Sequence, residues 1–147
     1  MFLTSNSFED GASIPPKFTC DGGDINPELE IHNVPEDAKS LVLIVDDPDV
    51  PEGTFVHWLI WNIDPRTTLI KQESKPPGAV QGANSGGTNV YIGPCPPSGT
   101  HHYRFKLFAL DTLLRLPETA YVSEVEEVMK SHIMEQCALV GLYKRQS

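Results

Sequence analysis

The sequence is short of basic residues. Eleven Lys and Arg stand against twenty Asp and Glu, for a formal net charge of −9 over 147 residues. A nucleic-acid partner needs a basic face to neutralise phosphates, so this balance excludes that class. It equally excludes a polybasic grip on an anionic bilayer. No apolar run comes near the roughly 20 residues of a spanning helix. The opening MFLTSNSFEDGAS has neither the basic nor the apolar region of a secretion signal, which predicts a cytoplasmic location. There are only three cysteines, Cys20, Cys95 and Cys137, with no C-x-x-C pair, so neither a zinc ribbon nor a redox dithiol is signalled and reduced thiols are expected. The chain also lacks the P-loop, G-x-G-x-x-G, G-x-S-x-G and H-E-x-x-H patterns. No cofactor and no metal are therefore expected. Two His and two Asp could still form a ligand set, and their wide separation neither supports nor excludes one.

What is present describes one globular domain over residues 1–147. A chain this long buries roughly 70% of its unfolded surface and needs no cross-link to hold together. Thirteen prolines and eleven glycines favour a turn-rich chain over a helical bundle. Residues 1–28 read as irregular, and a short strand follows at 29–34. Leu41-Val42-Leu43-Ile44-Val45 is too short for a helix and reads as a buried central strand, ended by Asp46-Asp47-Pro48-Asp49. Residues 55–63, FVHWLIWNI, form a strand with two apolar faces. Period 2 places Phe55, His57, Leu59 and Trp61 on one face and Val56, Trp58 and Ile60 on the other.

Residues 64–100 form a long Pro/Gly-rich loop region in which only 89–92 reads as strand. Loops of this length in a small domain are usually functional. In the strand YRFKLFAL, parity sends His101 inward with Tyr103, Phe105 and Leu107. It sends His102 outward with Arg104 and Lys106, a strip expected to be solvated. Ser123–Gln136 is the predicted helix, capped by Ser123 and Glu126, with Val125, Val128, Met129 and Ile133 as its packing stripe. Ala138–Tyr143 reads as a last strand. Many short strands and one late helix predict a mostly-β sandwich.

Three polar features fall where apolar neighbours would bury them: the carboxylates Asp46, Asp47 and Asp49, the inward His57, and the inward His101 beneath GPCPPSG. Taken singly, each has a structural explanation, since Asp-Pro-Asp is a good turn and a core His is usually just hydrogen-bonded. Taken together, they describe a small polar pocket suited to an oxyanion. The imidazoles and loop N–H groups would donate to its oxygens. The carboxylates would orient the rings and raise their pKa, and would favour a monoanion or zwitterion. A reactive Cys95 is a lesser alternative.

These residues carry a family resemblance. Asp47-Pro48-Asp49-Val50-Pro51, followed by His57-Trp58-Leu59-Ile60-Trp61-Asn62, resembles the first signature of the phosphatidylethanolamine-binding protein family. Pro96-Pro97-Ser98-Gly99-Thr100-His101-His102-Tyr103-Arg104-Phe105 resembles the second. IPPKFTCDG, GANSGG and GPCPPSG are similar to the short prokaryotic branch often called Raf-kinase-inhibitor-like. The resemblance implies a two-sheet antiparallel Greek-key β-sandwich with one or two short helices and an anion pocket at one end. By motif match, that pocket holds Asp47, Asp49, His57, Cys95, Pro96, His101 and Tyr103. It implies a non-enzymatic binding protein for phosphate-like or phosphoethanolamine-like headgroups, and a homodimer. The alternatives are an inhibitor of a kinase or protease acting through the pocket rim, and a His/Asp hydrolase. In one departure from the pattern, the Arg usual after the second-motif histidine is His102 here.

Overall fold

The computed structural model describes residues 1–146. In chain order it forms β1 (Phe2–Thr4), a 3-10 turn (Pro16–Phe18), β2 (Leu29–His32), β3 (Ser40–Val50), β4 (Gly53–Ile63), β5 (Leu69–Ile70), β6 (Val80–Gln81), β7 (His101–Leu110), α1 (Val122–Met129) and β8 (Ile133–Tyr143). The apolar run beginning at Leu41 is central, as expected. β3 pairs antiparallel with β4 on one side and β7 on the other, inside a five-stranded sheet ordered β6-β4-β3-β7-β8. After edge strand β6 the chain crosses back to lay β7 beside β3, the long connection of a Greek key. A three-stranded antiparallel sheet, β1-β2-β5, stacks on one face.

The large sheet is apolar on both faces because both are covered. Towards the small sheet, Leu41, Leu43, Val45, Trp58, Ile60, Phe105 and Leu107 meet Leu3, Leu29 and Ile31. On the opposite face, Val42, Ile44, Leu59, Trp61 and Phe108 pack under Leu114, Ala120 and the α1 residues Val125 and Met129. Each of these large side chains contributes about 1.5–3 kcal/mol of burial relative to exposure. Backbone passes very close to one of them: a Cβ at Gly82 would fall 2.2 Å from Cζ3 of Trp61, so only glycine fits there.

Several local expectations are corrected. β3 does not stop at Asp46 but runs on to Val50. Pro48 is tolerated because pairing with β7 ends at Asp46↔Arg104, and Pro48 lies in the irregular stretch between Asp47↔Phe55 and Val50↔Gly53. β4 is not a period-2 strand throughout. Val45 faces Trp58 while Asp46 faces Val56, so His57 is an extra residue in the ladder, a β-bulge. His57 therefore shares its face with Trp58 and Ile60, not with Leu59 and Trp61. A second register shift lies between Leu41↔Ile63 and Leu43↔Ile60, beside Asn62 with its left-handed φ of 56°.

The predicted helix is shorter than expected. It spans Val122–Met129, and residues from Ile133 onward belong to β8, paired with β7 from Leu110↔Ile133 to His101↔Tyr143. A long tertiary ladder overrides the weak helical period of residues 133–136. The helix start also differs: the Tyr121 N–H donates to the Glu124 carboxylate, at 3.1 Å, and Ser123 and Glu126 do not form the cap. Of the expected stripe, Val125 and Met129 are buried and Val128 is exposed. Residues 89–92 are not a strand, whereas the short strands β1, β5 and β6 were not apparent in the sequence pattern.

Candidate ligand-binding site

Alternation along β3 ends by sending two neighbouring carboxylates to opposite layers. Asp47 continues the face of Leu43 and Val45, and at that end of the sheet the sandwich opens into a cavity of about 160 Å³. Asp47, His57 and Tyr103 form its polar lining. Phe55 and Ile92 line it with Cys95, Pro96 and Pro97 of the loop that precedes β7.

Distant strand ends do converge here. His101 and His57 flank Tyr103, with ring centroids 6.4 Å and 5.3 Å from the phenol ring. The His101 Nδ1 lies 2.6 Å from Asp47 Oδ2. Both side chains are nearly buried, at 8% and 3% exposed. The carboxylate fixes the ring and leaves Nε2 as its uncommitted nitrogen. His101 touches the lining residues Asp47 and Tyr103 but is not itself part of the lining.

The His57 Nδ1 lies 2.6 Å from the Ile92 carbonyl oxygen. A carbonyl can only accept, so Nδ1 carries the proton and Nε2 presents a lone pair. Burial pushes the His57 pKa down, against the upward pull of the Ile92 carbonyl and Asp47. The expectation of raised imidazole pKa values is therefore corrected for His57, which is the neutral form at pH 7.

Tyr103 is 1% exposed, and its hydroxyl has no hydrogen-bond partner among the described residues. Burial raises its pKa strongly, and the Asp47 carboxylate raises it further, so the group is a neutral donor. An unpaired buried hydroxyl costs about 1–3 kcal/mol unless something else satisfies it.

The other expected site residues divide. Pro96 and Cys95 line the cavity. Asp49 does not. Its Oδ2 accepts from the backbone N–H and lies 2.7 Å from Nδ1 of His102, and those bonds hold its carboxyl below the usual range. Asp49 thus ties the end of β3 to the start of β7, and His102 serves as its partner on the outer surface. Arg104 and Lys106 are not a freely solvated strip either. Arg104 donates to Asp46 from Nε at 2.7 Å and from its terminal nitrogen at 3.1 Å, and Lys106 Nζ lies 2.7 Å from the same carboxylate. Asp46 therefore belongs to the opposite layer. The lining residues Val50, Phe55, Ile92, Gly93 and Pro97 are not among those the sequence marks for the pocket. Phe55 was findable, since it flanks His57 at period 2, but nothing marked the Ile92 carbonyl.

The thiol expectation is also corrected. Cys20 and Cys95 form a disulfide with Cα atoms 5.5 Å apart, and Cys137 is free. The bond joins the roof loop to the segment after the 3-10 turn. The same two segments meet at Gly93, whose N–H donates to Asp24 Oδ1 at 2.8 Å. A Cβ on Gly93 would fall 2.6 Å from the Phe18 carbonyl oxygen.

Comparison with known proteins agrees with this fold. Residues 4–144 match the family model described as phosphatidylethanolamine-binding protein. The chain belongs to the phosphatidylethanolamine-binding protein family. A UPF0098 protein of Methanothermobacter thermautotrophicus is 46% identical over 150 residues, covering 99% of each chain. The crystal structure of a family homologue from Chlamydia trachomatis superposes with a TM-score of 0.95 at 39% identity, covering 99% of this chain and 97% of that one. The Escherichia coli protein YbcL, also a family member, superposes with a TM-score of 0.91 at 29% identity, covering 98% of both chains. The two segments that resemble the family's signatures carry Asp47, His57 and Tyr103 in the cavity lining, with His101 bonded to Asp47. No described helix is long and apolar enough to cross a membrane.

Proposed function

We propose that this family member is a binding protein whose cavity takes a small phosphate-like oxyanion, free or as the head of a larger molecule. The Tyr103 hydroxyl carries the reading: it is a buried donor that makes no well-formed hydrogen bond among the described residues, with the Asp47 carboxylate acting on it, in the wall of a cavity shared with His57. An oxyanion supplies an acceptor for it. The neutral His57 offers Nε2 as an acceptor for a proton of a phosphate monoanion. The two partners then share that proton, and the total charge is the same whether it sits on the phosphate or on the imidazole. Asp47 adds negative charge to the wall, which favours a monoanion or an ammonium-bearing zwitterion over a bare dianion. Phe55, Ile92 and the two prolines form an apolar side against which a short alkyl chain can lie.

The lining supports binding over covalent catalysis. Cys95 is held in a disulfide and cannot act as a nucleophile, and the Tyr103 proton is held tightly. Calorimetric titration with inorganic phosphate and with phosphoethanolamine tests the proposal. Saturable binding that strengthens as the pH falls from 8 to 6 is expected, because the complex holds a proton that the separated partners lose. Absence of saturable heat from both probes would overturn it.

A further inference from the structure

We infer that the Cys20–Cys95 bond is a thiol–disulfide exchange site that sets how tightly the cavity holds its anion. This rests on the binding reading above and concerns the roof of that same cavity.

The roof is anchored unevenly. Before Cys95 the loop is pinned by a run of hydrogen bonds. The Ile92 N–H donates to the His57 carbonyl at 3.0 Å, and the Ile92 carbonyl accepts from His57 Nδ1 at 2.6 Å. The Tyr91 hydroxyl donates to the Phe18 carbonyl at 2.7 Å. The Gly93 N–H donates to Asp24 at 2.8 Å, and the Cys20 N–H to the Pro94 carbonyl at 3.1 Å. After Cys95 the pattern stops. Among the described residues, 96–100 make no backbone hydrogen bond, and pairing resumes only at His101↔Tyr143. Pro96 and Pro97, which wall the cavity, lie in that unpinned stretch. The disulfide is the last fixed point before them.

The bond is also placed to be attacked. Residue Cys95 is exposed while Cys20 is half-buried, which makes Cys95 the side from which an incoming thiolate would attack. A dithiol reductant forms a mixed disulfide with Cys95 and expels the Cys20 thiolate. The reductant's second thiolate then attacks its own bridged sulfur and expels the Cys95 thiolate. The reductant leaves as a disulfide, and the two electrons and two protons it gives up end on Cys20 and Cys95. Reduction leaves the upstream hydrogen bonds in place and frees residues 96–100. A cavity whose wall must be ordered at each binding event loses preorganisation.

The experiment uses the whole chain carrying Cys137→Ser, so that only the paired thiols report. Oxidised protein, protein reduced with dithiothreitol, and the Cys20→Ser/Cys95→Ser variant are compared. Without denaturant, maleimide labelling should show both Cys20 and Cys95 opened. The ¹⁵N order parameters of Ser98, Gly99 and Thr100 should fall on reduction. Phosphate affinity should drop about tenfold, the scale of one or two side chains ordered on binding. The double variant should match the reduced protein. A bond that opens only in denaturant overturns the inference, and so do equal affinities in the oxidised and reduced forms. If oxidised protein binds no phosphate, the pocket reading is what falls. In that case unchanged order parameters on reduction would overturn this inference as well.

Discussion

Asp46 and Asp47 are adjacent on one strand and face opposite layers of the sandwich, and the contrast between them separates scaffold from site. Asp46 accepts from Arg104 and is paired with Lys106, so its charge is fully answered by the protein. Asp47 meets one imidazole and accepts the Asp49 N–H at 2.8 Å, with no cation of Lys or Arg paired to it among the described residues, and beside it stand a phenol without a well-formed hydrogen bond and an imidazole held neutral by burial. The first surroundings are electrostatically complete, and a ligand would have to compete with existing bonds. The second are incomplete, and a ligand adds bonds without breaking any. Burial alone does not distinguish the two carboxylates, since both are almost wholly enclosed.

The contrast can be broken from either side. The largest effect should come from Asp46→Asn, which leaves Arg104 and Lys106 facing each other without their carboxylate. We expect a loss of about 2–3 kcal/mol in urea unfolding, below the full cost of breaking a buried pair because both cations are partly exposed. Phosphate affinity should stay within twofold. A variant of unchanged stability would show that this triad is not the scaffold element described here.

Tyr103→Phe should do the reverse. It removes a hydroxyl that makes no well-formed hydrogen bond among the described residues, so stability should be unchanged or rise by up to about 1 kcal/mol. Phosphate affinity should fall about tenfold, the scale of a hydrogen bond to a charged group. Equal phosphate affinity in the variant and the parent would sever the link between the orphan hydroxyl and the ligand.

A smaller effect should appear in the pH dependence of stability. The folded His57 resists protonation because it is buried, so the unfolded chain binds a proton where the folded chain does not. This contribution is complete above the unfolded pKa of about 6.5 and is lost as the pH falls towards the lower folded value. Unfolding free energies at pH 7.5, 6.5 and 5.5 should decline in the parent and decline less in His57→Gln. Identical slopes would mean that His57 is not held neutral. The smallest effect should come from Asp49→Asn. Its carboxylate is 37% exposed and serves His102 on the surface. A change under about 1 kcal/mol and an affinity within twofold are expected, and a tenfold loss of phosphate binding would return Asp49 to the pocket.

The legibility of the fold varied with the regularity of each ladder. HHYRFKLFAL alternates without interruption from His101 to Ala109, so parity placed His101 inside and His102 outside correctly. FVHWLIWNI does not, and parity assigned His57 to the layer of Leu59 and Trp61. It reaches the cavity only because the bulge moves it to the layer of Trp58 and Ile60. Convergence of the two imidazoles was thus anticipated, but by an argument that fails for one of them. Two apolar faces hid the error, since a shift of one residue exchanges Leu for Trp and leaves no visible mismatch. Asp49 was misplaced because sequence spacing cannot say which neighbour a turn carboxylate will meet. The disulfide was missed because 75 residues separate its cysteines and only the fold brings them together. Residues 133–136 carried a helical period too short to outweigh the ladder they join.

One surplus residue in β4 therefore has consequences beyond local geometry. A ladder that kept one register from Val45 to Asp47 would place position 57 opposite Asp46, on the face turned towards the helix, and would take its imidazole out of the cavity wall. The shift beside Asn62 would be untouched, so the two irregularities of this hairpin are separable, and only the one at His57 bears on the cavity.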